Sequence, residues 1–214
     1  ASPEIATPEG THALFRDRTG DLLDRLPRGD FIHWGANELS TRGLFESGRS
    51  LIGIAVGDAN GDGIEDVFAP QIRDVPNLFF LSQPDGSHRE VAARSGLDWL
   101  DHSTVSLFAD FDNDGDQDLV VATRKLLAIH ENTDGTGLNY KRILKFPQGD
   151  TSSLAAADYD GDGLLDLYVC NYLNDAETET VSLSDSIYNG IDGGMNRLYR
   201  NEGSLKFTDV TEAV

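Results

Sequence analysis

The feature that most constrains this 214-residue chain is a nine-residue pattern that occurs three times. It reads Asp58-Ala-Asn60-Gly-Asp62-Gly63-Ile64-Glu-Asp66, then Asp110-Phe-Asp112-Asn-Asp114-Gly115-Asp116-Gln-Asp118, then Asp158-Tyr-Asp160-Gly-Asp162-Gly163-Leu164-Leu-Asp166. The windows start 52 and 48 residues apart, and a period near fifty residues marks stacked supersecondary units. Oxygen-bearing side chains fall at positions 1, 3, 5 and 9, with glycine at position 6. That spacing suits a tight loop wrapped around a hard cation. Alternate side chains face the inside of the curve, and the glycine allows the positive φ of a sharp turn. Position 7 can add its backbone carbonyl whatever its side chain, so Ile64, Asp116 and Leu164 all suit the slot.

The expected metal ligands are thus Asp58, Asn60, Asp62, Ile64 and Asp66 in the first loop, and Asp110, Asp112, Asp114, Asp116 and Asp118 in the second. In the third they are Asp158, Asp160, Asp162, Leu164 and Asp166. Calcium, which takes about 6–8 oxygens at about 2.3–2.6 Å, is the expected cofactor at three sites; magnesium demands a stricter octahedron and keeps its waters. One Asp-Gly-rich window could be a solvated turn, but three in one register argue for a common ligand. Electrostatics agrees, because two carboxylates about 4 Å apart repel by about 4 kcal/mol at an effective dielectric of about 20.

The chain has 37 acidic and 17 basic side chains and a net charge of −20, so three calcium ions would still leave it acidic. Such a surface repels phosphate backbones, and no nucleic-acid partner is expected. Apolar runs such as residues 51–56 are far too short to cross a bilayer. A hydrophobic fraction of 39% argues for a packed core despite the charge. Cys170 is the single cysteine, which excludes an internal disulfide framework and any CxxC site. A start at Ala1, with no methionine or basic-then-apolar leader, fits a processed mature chain and equally one trimmed from a longer sequence.

The flanking residues decide between calcium folds. An EF-hand needs a bidentate glutamate at position 12 between two helices, whereas position 12 here holds Ala69, Val121 and Val169. Each loop is followed by a β-type run, Asp66-Val-Phe-Ala-Pro70, Asp118-Leu-Val-Val-Ala-Thr123 or Asp166-Leu-Tyr-Val-Cys-Asn171, and preceded by another at residues 51–56, 104–109 or 152–157. Two more strands follow each hairpin: 77–82 and 88–92, 127–131 and 140–145, 196–201 and 206–210. Their turns carry Pro84-Asp-Gly86, Asn132-Thr-Asp-Gly135 and Glu202-Gly203. Four strands per fifty residues is the arithmetic of a propeller blade. The expected fold is all-β, with three four-stranded antiparallel β-propeller blades forming a partial or open propeller. The expected boundaries are a connector at 1–49, blades at 50–96, 97–147 and 148–214, and an insertion at 173–194 in the last.

These residues resemble the FG-GAP/VCBS repeat family, which includes the calcium-bearing propellers of integrin α subunits. The pair Asn196-Arg-Leu-Tyr-Arg-Asn201 and Phe207-Thr-Asp-Val-Thr211 is similar to the bacterial branch related to cartilage acidic protein, the ASPIC/UnbV proteins. The resemblance implies a secreted, extracellular or periplasmic propeller with calcium loops at its hairpins. It carries the ligands over by position, with Asn60 in the first loop suggesting weaker binding there. Three blades cannot close a ring, since closed propellers need about four to eight. Other blades of a longer chain, or other subunits of an oligomer, are therefore expected to cover the open faces. The end at Thr211-Glu-Ala-Val214, where the family pattern normally continues into a turn, points the same way.

The remaining segments carry weaker signals. Phe15-Arg-Asp-Arg-Thr19 echoes Phe207-Thr-Asp-Val-Thr211 and reads as the outer strand of a preceding or partner blade. Arg28-Gly29-Asp30 spells an integrin-recognition tripeptide of a kind that also arises by chance, and His33 and Trp34 read first as packed aromatics. The insertion, with Tyr188-Asn-Gly-Ile-Asp-Gly-Gly194, is either a partner contact or a solvated loop. No phosphate loop, HExxH or dinucleotide fingerprint occurs, and His102 between Asp101 and Ser103 is the least poor catalytic grouping. No catalytic residue is assigned. The leading expectation is a non-enzymatic, calcium-stabilised module that binds or scaffolds proteins or glycans, as in cell adhesion. A structural subunit of a larger assembly and a polysaccharide-acting enzyme on a propeller scaffold are the alternatives.

Overall fold

A computed structural model describes residues 53–71, 75–123, 126–147, 151–171 and 195–213. Within them lie twelve strands in three sheets, with no helix among the described residues. The first sheet comprises β1 (Ala55–Gly57), β2 (Asp66–Ala69), β3 (Leu78–Ser82) and β4 (His88–Glu90). The second holds β5 (Ser103–Ala109), β6 (Asp118–Thr123), β7 (Leu126–Asn132) and β8 (Tyr140–Pro147). The third holds β9 (Thr151–Ala157), β10 (Asp166–Asn171), β11 (Arg197–Asn201) and β12 (Phe207–Asp209). In each sheet the strands neighbour one another in chain order, and every pair is antiparallel. These are propeller blades, and each acidic window is the hairpin loop between a blade's first and second strands.

Burial follows from the stacking. Strand β6, Asp118-Leu-Val-Val-Ala-Thr123, is buried along its whole length because the second blade has a neighbour on either face. Its side chains alternate between two cores. Leu119 and Val121 join Phe68, Phe79 and Leu81 of the first blade, while Val120 and Ala122 join Leu167, Val169 and Tyr199 of the third. Trp99, in the connection between the first two blades, stacks on His130 at 4.8 Å and 6° and also meets Phe68.

Hydrogen bonds tie the blades directly. Gly53 donates to the Thr104 carbonyl at 2.8 Å, and the Ser106 hydroxyl donates to Gly53 O at 3.2 Å. The more telling tie is an asparagine at the end of the third strand. The Asn132 side chain donates to the Ala59 carbonyl of the preceding blade at 2.9 Å and to its own Gln117 carbonyl at 3.4 Å. Asn201 repeats this toward Phe111 O at 2.7 Å and Leu165 O at 3.0 Å. Ser82 stands in the matching place of the first blade, where its hydroxyl donates to Glu65 O at 2.7 Å and pairs with His88 Nδ1 at 3.2 Å, both within its own blade.

Asn201 is fully buried, so Asn201→Ala would strand two carbonyls at the blade interface. The expected cost is about 1–3 kcal/mol, read as a lower urea midpoint. An unchanged midpoint would show that the tie contributes nothing.

Candidate metal centres

The three loops share one hydrogen-bond plan. The position-1 carboxylate accepts from the amides of positions 5 and 6: Asp58 from Asp62 and Gly63 at 3.0 and 2.8 Å, Asp110 from Asp114 and Gly115 at 3.2 and 3.0 Å, and Asp158 from Asp162 and Gly163 at 3.1 and 2.9 Å. The position-3 oxygens of Asn60, Asp112 and Asp160 accept from the position-5 amide at 3.0–3.3 Å. Asp62, Asp114 and Asp162 in turn accept from the amides of Ile64, Asp116 and Leu164 at 2.9, 2.9 and 2.8 Å. Gly63, Gly115 and Gly163 have φ of 82, 97 and 91°, the left-handed turn expected at position 6. Position 4 is left-handed too, at Gly61, Asn113 and Gly161, and asparagine is among the few side chains that tolerate it.

Position 9 has a second structural role. Asp66, Asp118 and Asp166 are each buried at the start of a second strand. Their Oδ2 atoms accept from the position-2 amides of Ala59, Phe111 and Tyr159 at 3.1, 3.1 and 3.0 Å. Their Oδ1 atoms accept from the amides of Ser82, Asn132 and Asn201 at 2.8, 3.0 and 2.8 Å. One carboxylate thus clamps the loop to the end of the third strand.

The loops gather negative charge. Carboxylate oxygens of Asp110, Asp112 and Asp114 lie within 4.8 Å of one another, as do those of Asp158, Asp160 and Asp166. In the first loop, where Asn60 holds position 3, the described residues form no such trio. The ion pairs among the described residues are Arg197–Asp209 and Arg200–Glu202, neither with a loop carboxylate. Burial, aided by the nearby Asp62 and Asp58, pushes the Asp66 carboxyl up to about 6 against its backbone hydrogen bonds. Burial with Asp112 and Asp114 takes Asp118 to about 7. Asp112 and Asp116 are raised as well, by desolvation first and by neighbouring aspartates second. An all-oxygen, anionic donor set with no ion-paired basic side chain among the described residues fits a hard divalent cation.

The sequence-expected positions 1, 3 and 5 of the second loop come together, as do positions 1, 3 and 9 of the third. The clamp at position 9, the turn at position 4 and the inter-blade asparagines escaped the sequence reading, although Gly, Asn and Gly at position 4 were a signal for the second. Ser103 is fully buried, and its hydroxyl makes no hydrogen bond to His102. Phe15–Thr19, Arg28-Gly29-Asp30, His33, Trp34 and residues 173–194 lie outside the described residues.

Blades of this topology with aspartate loops at their first hairpins define a β-propeller module. Residues 110–169, which run from one acidic loop through the next, match the FG-GAP-like repeat family. Cartilage acidic protein 1 of Xenopus tropicalis is 30% identical over 171 residues, 76% of this chain and 25% of that protein. The chain therefore spans about a quarter of the length of that curated relative. Residues 110–169 thus carry the sequence of an FG-GAP-like repeat.

The raised carboxyls set a pH dependence for cation-free protein. Asp66 and Asp118 hold their protons more tightly folded than unfolded, so the stability they contribute is full below about pH 4 and lost as pH rises through about 6 and 7. Asp209 is shifted the other way: despite some desolvation, its bonds to Thr211 and Arg197 hold it low, and its contribution is lost as pH falls below about 4. Cation-stripped protein should therefore have a higher urea midpoint near pH 5.5 than near pH 7.5. A midpoint that rises over this interval would contradict the assignment.

Proposed function

We propose that the chain is a calcium-stabilised, extracytoplasmic propeller module that acts by binding or scaffolding protein or glycan partners, not by catalysis. The observation that carries this reading is the pair of aspartate trios, each within 4.8 Å and without an ion-paired basic side chain among the described residues. Asp110, Asp112, Asp114, Asp116 and Asp118 would hold one ion, and Asp158, Asp160, Asp162, Asp166 and the Leu164 carbonyl a second. Asp58, Asn60, Asp62, Asp66 and the Ile64 carbonyl would hold a third, more weakly. Extracellular modules commonly bind calcium at about 10⁻⁴–10⁻³ M, a range suited to a calcium-rich medium outside the cytoplasm. The likeness to cartilage acidic protein 1 supports the same setting.

Calcium's role here is mechanical. Binding only the folded state at a tenfold excess over Kd stabilises by about 1.4 kcal/mol per site, or about 4 kcal/mol for three independent sites. A second reading, a structural subunit of a larger assembly, is favoured by exposed apolar side chains on the outer blades, Ile54 and Val56 on the first and Tyr159 and Tyr168 on the third.

Chelation should lower the melting temperature, calcium should restore it better than magnesium, and Asp112→Ala should remove only part of the calcium response. A melting curve indifferent to chelator and calcium would refute the metal reading.

A further inference from the structure

Five glycines of the acidic loops follow an aspartate or an asparagine: Gly61, Gly63, Gly115, Gly161 and Gly163. In such a pair the glycine amide nitrogen can attack the side-chain carbonyl carbon before it, since no side chain obstructs the closing ring. Four of the five amides are committed elsewhere. Gly63 donates to Asp58 Oδ2 at 2.8 Å, Gly115 to Asp110 Oδ2 at 3.0 Å, and Gly161 and Gly163 to Asp158 Oδ1 and Oδ2 at 2.8 and 2.9 Å.

Gly61 is the exception. Among the described residues no acceptor meets its amide. It is exposed, with a φ of 68°, and nothing stands within 4 Å of where a Cβ would be. The residue before it is also the one member of the five that is not an acid. A carboxylate must be protonated before it loses an oxygen, whereas the Asn60 carboxamide needs only to release ammonia. That carboxamide is turned along the chain that follows it, its Oδ1 accepting from the Asp62 amide at 3.0 Å. Asn60 is half-buried, so water reaches the group.

We infer that Asn60 is a site of spontaneous deamidation, which turns position 3 of the first loop into the acid that the other two loops carry there. The Gly61 nitrogen bonds to Asn60 Cγ, its proton leaves with the side-chain NH₂ as ammonia, and a cyclic imide remains. Water opens the imide, its hydroxyl ending on the released carboxyl and its proton on the Gly61 nitrogen. Cleavage on the side-chain side leaves aspartate. Cleavage on the main-chain side leaves isoaspartate, with an extra methylene in the backbone. No enzyme, oxidant or cofactor is required. In the aspartate product the new carboxylate takes the place of Asp112 and Asp160, each of which accepts from its position-5 amide at 3.3 Å. The first loop then carries carboxylates at positions 1, 3 and 5, the set that comes together in the second. Isoaspartate instead moves that group off the amide. The gain in cation affinity rests on the calcium reading; the bond chemistry does not.

The full chain, stripped of cations and kept folded at mildly alkaline pH, is sampled over time and digested with trypsin. This releases residues 50–73, with Asn60 as their one asparagine. That peptide should progressively gain the mass of one deamidation, with aspartate and isoaspartate both identified by fragmentation, while the peptides holding Asn113 and Asn132 keep their amides. An unchanged peptide over an interval that converts the urea-unfolded chain would overturn the inference, because the folded loop would then be holding Gly61 away. So would a product without isoaspartate, which would mark direct hydrolysis with no imide. G61A should slow conversion in urea as well as in the folded chain, so the route is read even if the left-handed position makes that variant fold poorly; undiminished conversion in urea would refute attack by the Gly61 amide. N60D, the aspartate product made directly, should bind calcium several-fold more tightly than the parent in the weakest phase of a calorimetric titration. Equal affinity would refute the gain at the site. A parent that binds no calcium would refute the metal reading, while the mass measurement still decides the deamidation.

Discussion

The buried aspartate at loop position 9 is the interaction on which each blade depends. Asp66, Asp118 and Asp166 each accept two backbone amides from segments that are distant in sequence, the loop and the end of the third strand. A carboxylate taken out of water is costly unless its oxygens are hydrogen-bonded, and charge-assisted bonds to amides are among the stronger available. An asparagine there would bring only one accepting oxygen and would turn an NH₂ group toward an amide donor. The position therefore calls for an acid, whether or not that acid also touches a metal.

From this clamp the order passes outward. Fixing the position-2 amide also fixes the carbonyl of the same residue, and that carbonyl is what the next blade's asparagine receives. Loop geometry in one blade thus sets the seat of the next. A second link joins the last two loops, where the Asn113 side chain donates to the Gly163 carbonyl at 2.9 Å. Gly61, at the same position of the first loop, has no side chain to offer. The second and third loops are consequently joined directly, while among the described residues the first is met by Asn132 at the Ala59 carbonyl and by the packed core.

Much of this was legible in the sequence because it rests on local rules. The repeat spacing, the glycine at position 6 and the strand runs on either side fixed the blades, and eleven of the twelve strands fall close to their expected bounds. The first does not: β1 covers Ala55–Gly57 within the described residues, where the apolar run 51–56 suggested a strand starting earlier. The long-range hydrogen bonds were not legible. Asn201 meets a carbonyl 90 residues away, and no local pattern separates a residue that caps a strand from one that reaches another blade. The double duty of Asp118 was hidden for a related reason, since a ligand-like spacing accounts for its identity before any tertiary partner is considered. Ser82 shows the converse. As a substitution within a repeat it looks conservative, but its side chain is too short to make the inter-blade bond that the asparagines make.

The middle blade shows what a complete environment for this repeat looks like, and the outer two depart from it in opposite ways. On the first blade the uncovered side is aliphatic, with Ile54 and Val56 more than half exposed. On the third it is aromatic and small, with Tyr159 and Tyr168 standing over alanines. Tyrosine keeps a hydroxyl in water while offering a ring to a partner, so this side can stand open at lower cost than a phenylalanine face. Phe111, which the third blade covers completely, needs no such compromise. The residue at loop position 2 thus tracks its surroundings here: alanine and phenylalanine lie buried under the next blade, and tyrosine stands exposed on the third.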